Sequence, residues 1–251
     1  DIKHLSKIYG FKIIEDASHS IGGKYNNFYV GSCQYSDITV FSFHPVKIIT
    51  TGEGGMALTN SNSLAKKINM LRGHGIVRDN FKLESPGPWY YEQQSLGFNY
   101  RITEFQAALG ISQLKRLDNF VSKRNELMSY YRSKLNADEE FTFLDKPKNV
   151  YSSYHLGIVK IRNSNNELHK KLFEWMRNNN VWVQLHYWPI HLHPYYKKLG
   201  FKKGDFPNSE KYGTSCFSLP LHIGINNKDQ DTVVKLLKKG IKKLKSEIKK
   251  V

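Results

Sequence analysis

The alternation of short strand-like runs with segments of helical spacing is the feature that most constrains the fold of this sequence. Phe11–Ile14 is an apolar run that ends in two carboxylates, and Ile38–Phe43 is a longer run of β-branched and aromatic residues. A third strand-like run covers Met56–Thr59, and residues 63–71 have the spacing of a helix. We interpret Phe11–Ile14 as a buried strand, and strands that alternate with helices predict an α/β arrangement for this part of the chain.

A further helix is predicted where a threonine and a glutamine stand three residues apart. Thr103 is a good N-cap residue, and Gln106 occupies the position whose side chain turns back to the cap in a capping box. The helix that begins here is expected to carry the apolar residues Phe105, Leu109, Leu114, Leu117 and Val121.

The character of the sequence changes beyond about residue 120, where we expect an α+β arrangement. The expected elements are a helix containing Tyr130 and Tyr131, a strand over Tyr154–Ile161, a helix over Glu167–Asn179, a strand over Val181–Leu185 and a loop over Tyr187–Gly200. We therefore divide the sequence into two domains, residues 1–120 and residues 121–251.

Length and composition exclude several classes of protein. The chain has 251 residues, of which 39% are apolar and 13% aromatic, so it is long and apolar enough to bury a substantial core. Cys33 and Cys216 are its two cysteines, which excludes a disulfide scaffold. No apolar run approaches the ~20 residues that cross a bilayer, and no signal peptide precedes the first strand-like run. We expect a soluble cytoplasmic protein without a membrane partner.

The formal net charge of +16 raises the question of an anionic partner. Residues 226–251 contain nine lysines against three acids, and their apolar residues step by three and four. The stripe consists of Val234, Leu237, Ile241, Leu244 and Ile248. This pattern favours a packed amphipathic helix with its lysines in solvent. Nucleic-acid binding through this tail is a weaker alternative, and we expect no nucleic-acid partner.

Asp16 follows a predicted strand, where open α/β sheets place their ligands. A carboxylate at this position could pair with a protonated ring nitrogen, hold a metal or cap the following helix. His19 stands three residues later and could lie on the same side of the site. Position alone leaves these alternatives open.

Lys47 stands shortly after a hydrophobic strand and before the Gly-rich segment Gly52-Glu53-Gly54-Gly55. Desolvation in such a partly apolar setting lowers the pKa of a lysine, and a neutral amine is what Schiff-base chemistry requires. Ser42 and the Gly-rich segment could supply donors to an anion. An ordinary surface lysine is the competing interpretation.

Two other kinds of site are less well supported. His186, His191 and His193 lie close together in sequence, but no carboxylate or cysteine at ligand spacing accompanies them, so we expect no metal site. The Gly-rich segment lacks both the dinucleotide fingerprint and the Lys-Ser/Thr of a phosphate loop.

Three ordered motifs together resemble a known family. They are Glu15-Asp16-Ala17-Ser18-His19, Phe41–Lys47 with the Gly-rich segment, and Gly97–Ala108. These motifs, and two shorter ones at His186–His191 and Ser218–His222, are similar to those of the DegT/DnrJ/EryC1/StrS sugar aminotransferases. The resemblance covers essentially the whole chain and implies the α/β fold of the type I pyridoxal-phosphate (PLP) transferases, which aspartate aminotransferase also has.

The resemblance also implies roles for individual residues. Lys47 is expected to bind the cofactor covalently and then to shuttle protons, and Asp16 to keep its pyridine nitrogen protonated. His19 is expected near the cofactor ring or its 3-oxygen, and Ser42 at its phosphate. Asn99 is expected to reach the phosphate of the neighbouring subunit, which implies a homodimer. Contacts with the substrate are expected from Arg101, His186 and Tyr187.

The implied reaction moves an amino group, with glutamate as the expected donor, to C4 of a UDP-linked 4-keto-6-deoxy sugar for surface-glycan biosynthesis. Some relatives with histidine in place of the lysine are dehydratases, and Lys47 favours aminotransfer. Family members carry a long segment before the Asp16 motif that this sequence does not match. On this view the first domain is an incomplete large domain. The alternative to an active aminotransferase is a truncated, non-catalytic family member that only dimerises or binds a partner.

Overall fold

The computed structural model describes residues 1–248 and divides them into two compact units. The N-terminal unit contains residues 1–121 and residues 148–153, and the C-terminal unit contains residues 122–147 and the residues from 154 onward. The last three residues of the lysine-rich tail lie outside the described residues.

The secondary structure follows in chain order. The helices are α1 (Ile2–Tyr9), α2 (Asn62–Arg72), α3 (Glu104–Leu114), α4 (Leu117–Leu135), α5 (Asn166–Asn178), α6 (Pro194–Lys198), α7 (Pro207–Gly213) and α8 (Asn227–Ile248). The strands are β1 (Ile14–Asp16), β2 (Lys24–Tyr25), β3 (Phe28–Tyr29), β4 (Ile38–Ser42), β5 (Gly55–Leu58), β6 (Ile76–Val77), β7 (Glu92–Gln93), β8 (Phe141–Thr142), β9 (Val150–Tyr151), β10 (Gly157–Ile161) and β11 (Cys216–Leu219). Among these described residues, no helix is long and apolar enough to cross a bilayer.

The N-terminal unit is organised around a sheet with the strand order β1-β4-β5. β1 runs parallel to β4, with Asp16 opposite Val40, and β5 runs antiparallel to β4, with Gly55 opposite Ser42. The carboxyl ends of β1 and β4 therefore lie at the same edge of the sheet, where such sheets place ligands. The buried core beneath this edge consists of Ala17, Ile21, Phe41, Phe43, Ile48, Ile49 and Val121.

A second small sheet joins two distant parts of the sequence within this unit. β2 pairs with the neighbouring strand β3 and also with β9, so that Lys24 lies opposite Tyr151. Gly23 makes this close approach feasible, because a Cβ there would lie 2.9 Å from the carbonyl oxygen of Ser20 and 3.3 Å from that of Tyr151.

The structure corrects two predicted elements in the N-terminal unit and adds one helix. The first strand begins at Ile14 rather than Phe11, and it is not buried, because β1 forms the edge of its sheet and Ile14 is 69% exposed. The helix α1 before it was not predicted. The capping box at Thr103 is confirmed, but its helix ends at Leu114, so Leu117 and Val121 belong to α4 instead.

The C-terminal unit has a sheet of order β11-β10-β8 and a large core. The predicted tail helix is confirmed, since α8 buries Val234, Leu237, Ile241 and Leu244. The predicted strand over Val181–Leu185 is wrong, because this segment makes only a single bridge, from Gln184 to Ser218. The predicted loop over Tyr187–Gly200 is not wholly irregular, because it contains a 3₁₀ turn and α6.

Candidate active site

Three of the predicted cofactor residues come together at the carboxyl ends of β1 and β4. Asp16 is the last residue of β1, His19 lies in the turn that follows, and Lys47 lies in the loop after β4. Each of these side chains alters the pKa of at least one of the others electrostatically, so they form one cluster. Parallel pairing of the two strands thus brings together residues that are about 30 positions apart.

Asp16 is held as a carboxylate by its own turn. Its Oδ1 atom accepts hydrogen bonds from the hydroxyl of Ser18 at 2.5 Å and from the backbone N–H of Ser18 at 3.0 Å. The hydroxyl bond is the main reason that the pKa of Asp16 is lowered, and electrostatic interactions with His19 and Lys47 add to the effect. Asp16 is exposed, so an ionised oxygen is presented at the sheet edge.

Lys47 is half-buried, and the two isoleucines that follow it are buried. This burial lowers the pKa of Lys47, and the carboxylate of Asp16 opposes the shift. The backbone N–H of Lys47 donates to the carbonyl of His44 at 3.0 Å, which closes the turn that projects the lysine. A lysine with a lowered pKa provides more neutral amine near neutral pH than an ordinary surface lysine does.

Burial favours the neutral form of His19. Burial, and then the positive charge of Lys47, lower its pKa, while Asp16 acts in the opposite direction. The carbonyl of His19 accepts a hydrogen bond from the buried hydroxyl of Ser153 at 3.3 Å. The sequence analysis missed Ser153, because nothing in its neighbourhood predicts that β9 returns to β2.

Ser42 ends β4 on the same edge, and its Oγ atom accepts the backbone N–H of His44 at 3.4 Å. The Gly-rich turn lies alongside, since the carbonyl oxygen of Gly54 accepts a hydrogen bond from the N–H of Phe43 at 2.8 Å. Gly52 and Gly54 have φ angles of 81° and 158°, in the region that glycine adopts readily. Glycine is thus required where this turn passes close to the lysine loop.

Asn99 and Arg101 lie on a different part of the N-terminal unit. Asn99 forms a bridge with Gly73 at the end of α2, and its Oδ1 atom accepts a bond from Arg101 Nη2 at 3.4 Å. Both side chains are exposed, and their described bonds do not include Asp16, His19 or Lys47. Gly97 allows the segment that contains Asn99 and Arg101 to pack closely against the end of α2, because a Cβ at Gly97 would lie 2.7 Å from the carbonyl oxygen of Leu71.

A cavity of about 510 Å³ connects part of this segment with the Gly-rich turn. Its lining includes Glu53, Gly54, Arg72, Arg101 and Gln106. Arginine side chains in such a cavity suit an anionic group. A larger cavity of about 690 Å³ lies beside β1 and α1, and its lining includes Glu15 but not Asp16, His19 or Lys47.

His186 and Tyr187 belong to the C-terminal unit. The Nδ1 atom of His186 lies 2.8 Å from the hydroxyl of Ser218, and its ring meets that of Tyr187 edge-on. The buried His191 is bonded to Glu210 at 2.9 Å. Among residues 1–248, no group of three or more histidines, cysteines or acids is placed to hold a metal ion.

Comparison with known proteins gives consistent results. The sequence profile of the DegT/DnrJ/EryC1/StrS aminotransferase family matches residues 1–238. The UDP-4-amino-4,6-dideoxy-N-acetyl-β-L-altrosamine transaminase of Campylobacter jejuni strain 81-176 is 36% identical over 243 residues, which is 95% of this chain and 62% of the relative. The chain thus spans about 62% of the length of the curated relatives it matches.

Solved structures show the same likeness. PseC of Helicobacter pylori, an aminotransferase of pseudoaminic acid biosynthesis, is 30% identical with a TM-score of 0.87 over 96% of this chain and 62% of its own. The PLP form of a sugar aminotransferase from Streptococcus pneumoniae, Spr1654, is 27% identical with a TM-score of 0.85 over 96% of this chain and 60% of its own. These likenesses confirm the predicted α/β fold of the type I PLP transferases.

Proposed function

The chain belongs to the DegT/DnrJ/EryC1/StrS aminotransferase family, and from this premise we propose that it carries the cofactor lysine of a PLP-dependent sugar aminotransferase. In this proposal the enzyme moves an amino group from glutamate to C4 of a UDP-linked 4-keto-6-deoxy sugar for surface-glycan biosynthesis. The observation that carries the proposal is the cluster of Asp16, His19 and Lys47 at one sheet edge.

The residues of this cluster fit PLP. The ionised Asp16 suits a protonated pyridine nitrogen, and the lowered pKa of Lys47 suits an amine that must attack an aldehyde. Ser42, on the same edge, is the proposed phosphate ligand. PLP, when bound, supplies an electron sink that stabilises negative charge on the amino-bearing carbon.

The chain's own residues then have distinct roles. Asp16, as a carboxylate, holds a proton on a heterocyclic nitrogen placed against it. Lys47 Nζ, as a neutral amine, would accept the proton that leaves Cα of the amino-acid donor, because its lowered pKa leaves a larger fraction of it unprotonated near neutral pH. His19, whose pKa is lowered mainly by burial, would lie beside the cofactor ring without adding a competing charge near neutral pH.

The substrate assignment draws on the relatives and on charge. The Campylobacter relative is named for a UDP-linked 4-amino-4,6-dideoxy sugar, and the H. pylori neighbour acts in pseudoaminic acid biosynthesis. Arg101, in the cavity beside the Gly-rich turn, is the proposed ligand of an anionic substrate group, and His186 and Tyr187 are proposed sugar contacts. Both substrates are water-soluble, and we place the reaction in the cytoplasm.

A homodimer is part of the proposal. The outer face of α3 is unusually apolar, with Phe105 91% exposed and Ile111 59% exposed. An exposed apolar patch of this kind marks an interaction surface. Asn99, just before α3 and also exposed, is the proposed contact to the cofactor phosphate of the second subunit. Phe105→Glu is expected to weaken self-association in sedimentation velocity while leaving the folded content, measured by circular dichroism, unchanged.

A non-catalytic family member that only dimerises or binds a partner is the second candidate. The observation that favours it is the sheet edge at β1, where Ile14 is 69% exposed. Open strand edges and apolar surface favour association with another chain.

Trapping of the cofactor tests the proposal and separates the two candidates. The chain is incubated with PLP, reduced with borohydride and digested for peptide mass spectrometry. We expect a phosphopyridoxyl adduct confined to Lys47, its loss in Lys47→Ala, and its retention in the matched control Lys66→Ala on the exposed side of α2. The absence of an adduct, or adducts spread over surface lysines, would favour the non-catalytic candidate.

A further inference from the structure

The amide oxygen and the amide nitrogen of Gln106 bind different parts of the N-terminal unit. Its Oε1 atom accepts hydrogen bonds from the backbone N–H and the hydroxyl of Thr103, both at 3.0 Å, which completes the capping box of α3. Its Nε2 atom donates to the carbonyl of Glu53, in the Gly-rich turn, at 2.9 Å. A capping box needs only the acceptor, and glutamate serves there as well as glutamine. The amide therefore adds a link that capping does not require.

The Gly-rich turn that receives this bond is tied directly to the loop of Lys47. The carbonyl of Glu53 also accepts the hydroxyl of Thr51 at 2.7 Å, and the next carbonyl, of Gly54, accepts the N–H of Phe43 at 2.8 Å. The carbonyl of Phe43 in turn accepts the N–H of Thr51 at 3.0 Å. These bonds close the loop from Phe43 to Thr51, which contains Lys47.

Close packing reinforces the link between α3 and the turn. Thr51 is buried, and a Cβ on Gly110 of α3 would lie 2.9 Å from the Cγ2 atom of Thr51. The inner side of α3 is thus small and polar where it meets the turn, whereas its apolar side chains face outward. The backbone of α3 therefore lies directly against the side chain of Thr51, next to the Gly-rich turn.

We propose that Gln106 is a positioning residue for Lys47, which it acts on through Glu53 and the Gly-rich turn. That this positioning matters for catalysis rests on the proposed function. That Gln106 holds the loop of Lys47 in place does not. The amide of Gln106 holds the turn against α3, and the turn keeps the loop closed so that Lys47 stays half-buried beside Asp16 and His19.

Gln106→Glu tests this link with the least disturbance, because it keeps the acceptor for the capping box and removes the donor to Glu53. Thr103→Ala is the matched control, since it removes the hydroxyl of the cap and leaves the amide of Gln106 in place. The first readout needs no cofactor: the pH profile of Lys47 acetylation, followed by mass spectrometry of the corresponding peptide. The second is the dissociation constant for PLP.

In Gln106→Glu we expect Lys47 to become better solvated, so that its acetylation midpoint moves to higher pH and its labelling rate at pH 8 falls several-fold. We expect the dissociation constant for PLP to rise about fivefold, the equivalent of one lost hydrogen bond. In Thr103→Ala we expect a lower melting temperature with a wild-type profile for Lys47.

An unchanged Lys47 profile in Gln106→Glu, or an equal change in Thr103→Ala, would overturn the inference and leave Gln106 a helix cap only. Failure of the proposed function gives a different result, because the wild-type chain would then form no Lys47 adduct with PLP while the acetylation profiles still decide the role of Gln106.

Discussion

The two units of the chain differ in where they keep their apolar side chains. Among the described residues, the core of the C-terminal unit contains 21 buried apolar residues and that of the N-terminal unit contains seven. The N-terminal unit leaves more large apolar side chains in solvent than the C-terminal unit does, including Trp89 at 74%, Leu96 at 90% and Phe105 at 91% exposed.

Buried apolar residues have different roles in the two units. In the N-terminal unit the buried residues flank the candidate site, since Ala17 follows Asp16 and Ile48 follows Lys47. Burial there fixes the strand ends and lowers the pKa of Lys47, while the outer faces are left for other contacts. In the C-terminal unit α5, α8 and the sheet cover one another, so its stability depends less on any other surface.

The strongest test of this contrast makes the same substitution in each unit. Phe217 is 1% exposed in the C-terminal core, so Phe217→Ala should lower the free energy of unfolding by about 3–5 kcal/mol. Phe105→Ala, at an exposed site, should change it by less than about 0.5 kcal/mol in dilute solution. Urea denaturation measures both, and a large loss in Phe105→Ala would show that the N-terminal unit relies on this side chain for folding.

A second pair compares two arginines. The Nη1 atom of the buried Arg124 donates to the carbonyls of Tyr154, His155 and Leu221 at 3.1, 3.3 and 2.9 Å. Arg124→Met keeps the length of the side chain but removes this donor, so we expect a loss of about 1–3 kcal/mol in urea denaturation. Arg101→Met, at an exposed position, should cost less than about 0.5 kcal/mol. Equal losses would contradict the contrast between the units.

The smallest expected effect concerns the charge balance of the site. Asp16 raises the pKa of Lys47, so Asp16→Asn should lower that pKa further and increase Lys47 acetylation at pH 8. The same variant should trap less PLP with borohydride, because the partner of a protonated ring nitrogen is lost. The carboxylate of Asp16 also stabilises the folded chain at pH values above the pKa that Asp16 has in the unfolded chain. This contribution is lost as the pH falls through the lower pKa that Asp16 has in the folded chain. If acetylation of Lys47 and trapping of PLP both increased in Asp16→Asn, the proposed role of Asp16 at the cofactor nitrogen would be wrong.

Much of the fold was predictable from local pattern. β4, β5, β10, α2, α5 and the capping box of α3 lie within a few residues of their predicted positions, because periodicity and caps are local signals. The break between α3 and α4 was missed, since Leu117 and Val121 continue the apolar spacing past Leu114. The exposure of β1 was missed because an apolar run does not reveal whether its strand is central or at an edge.

The clustering of the candidate site residues was predictable to the extent that they lie on strand ends. Asp16, His19 and Lys47 come together as expected, because parallel neighbouring strands end at the same edge. Ser153 and the amide of Gln106 were not assigned to the candidate site, since each donates to the backbone carbonyl of a residue distant in sequence. Contacts of this kind depend on tertiary packing and leave no motif.

The return of β9 to β2 has a consequence for synthesis of the chain. The N-terminal unit cannot complete its small sheet, or receive the Ser153 bond on His19, until residues 148–153 have been translated. By then the ribosome has already made α4 and β8, which belong wholly or largely to the C-terminal unit. Folding during translation therefore cannot finish the candidate site first, and the backbone of His19 is secured only after part of the other unit exists.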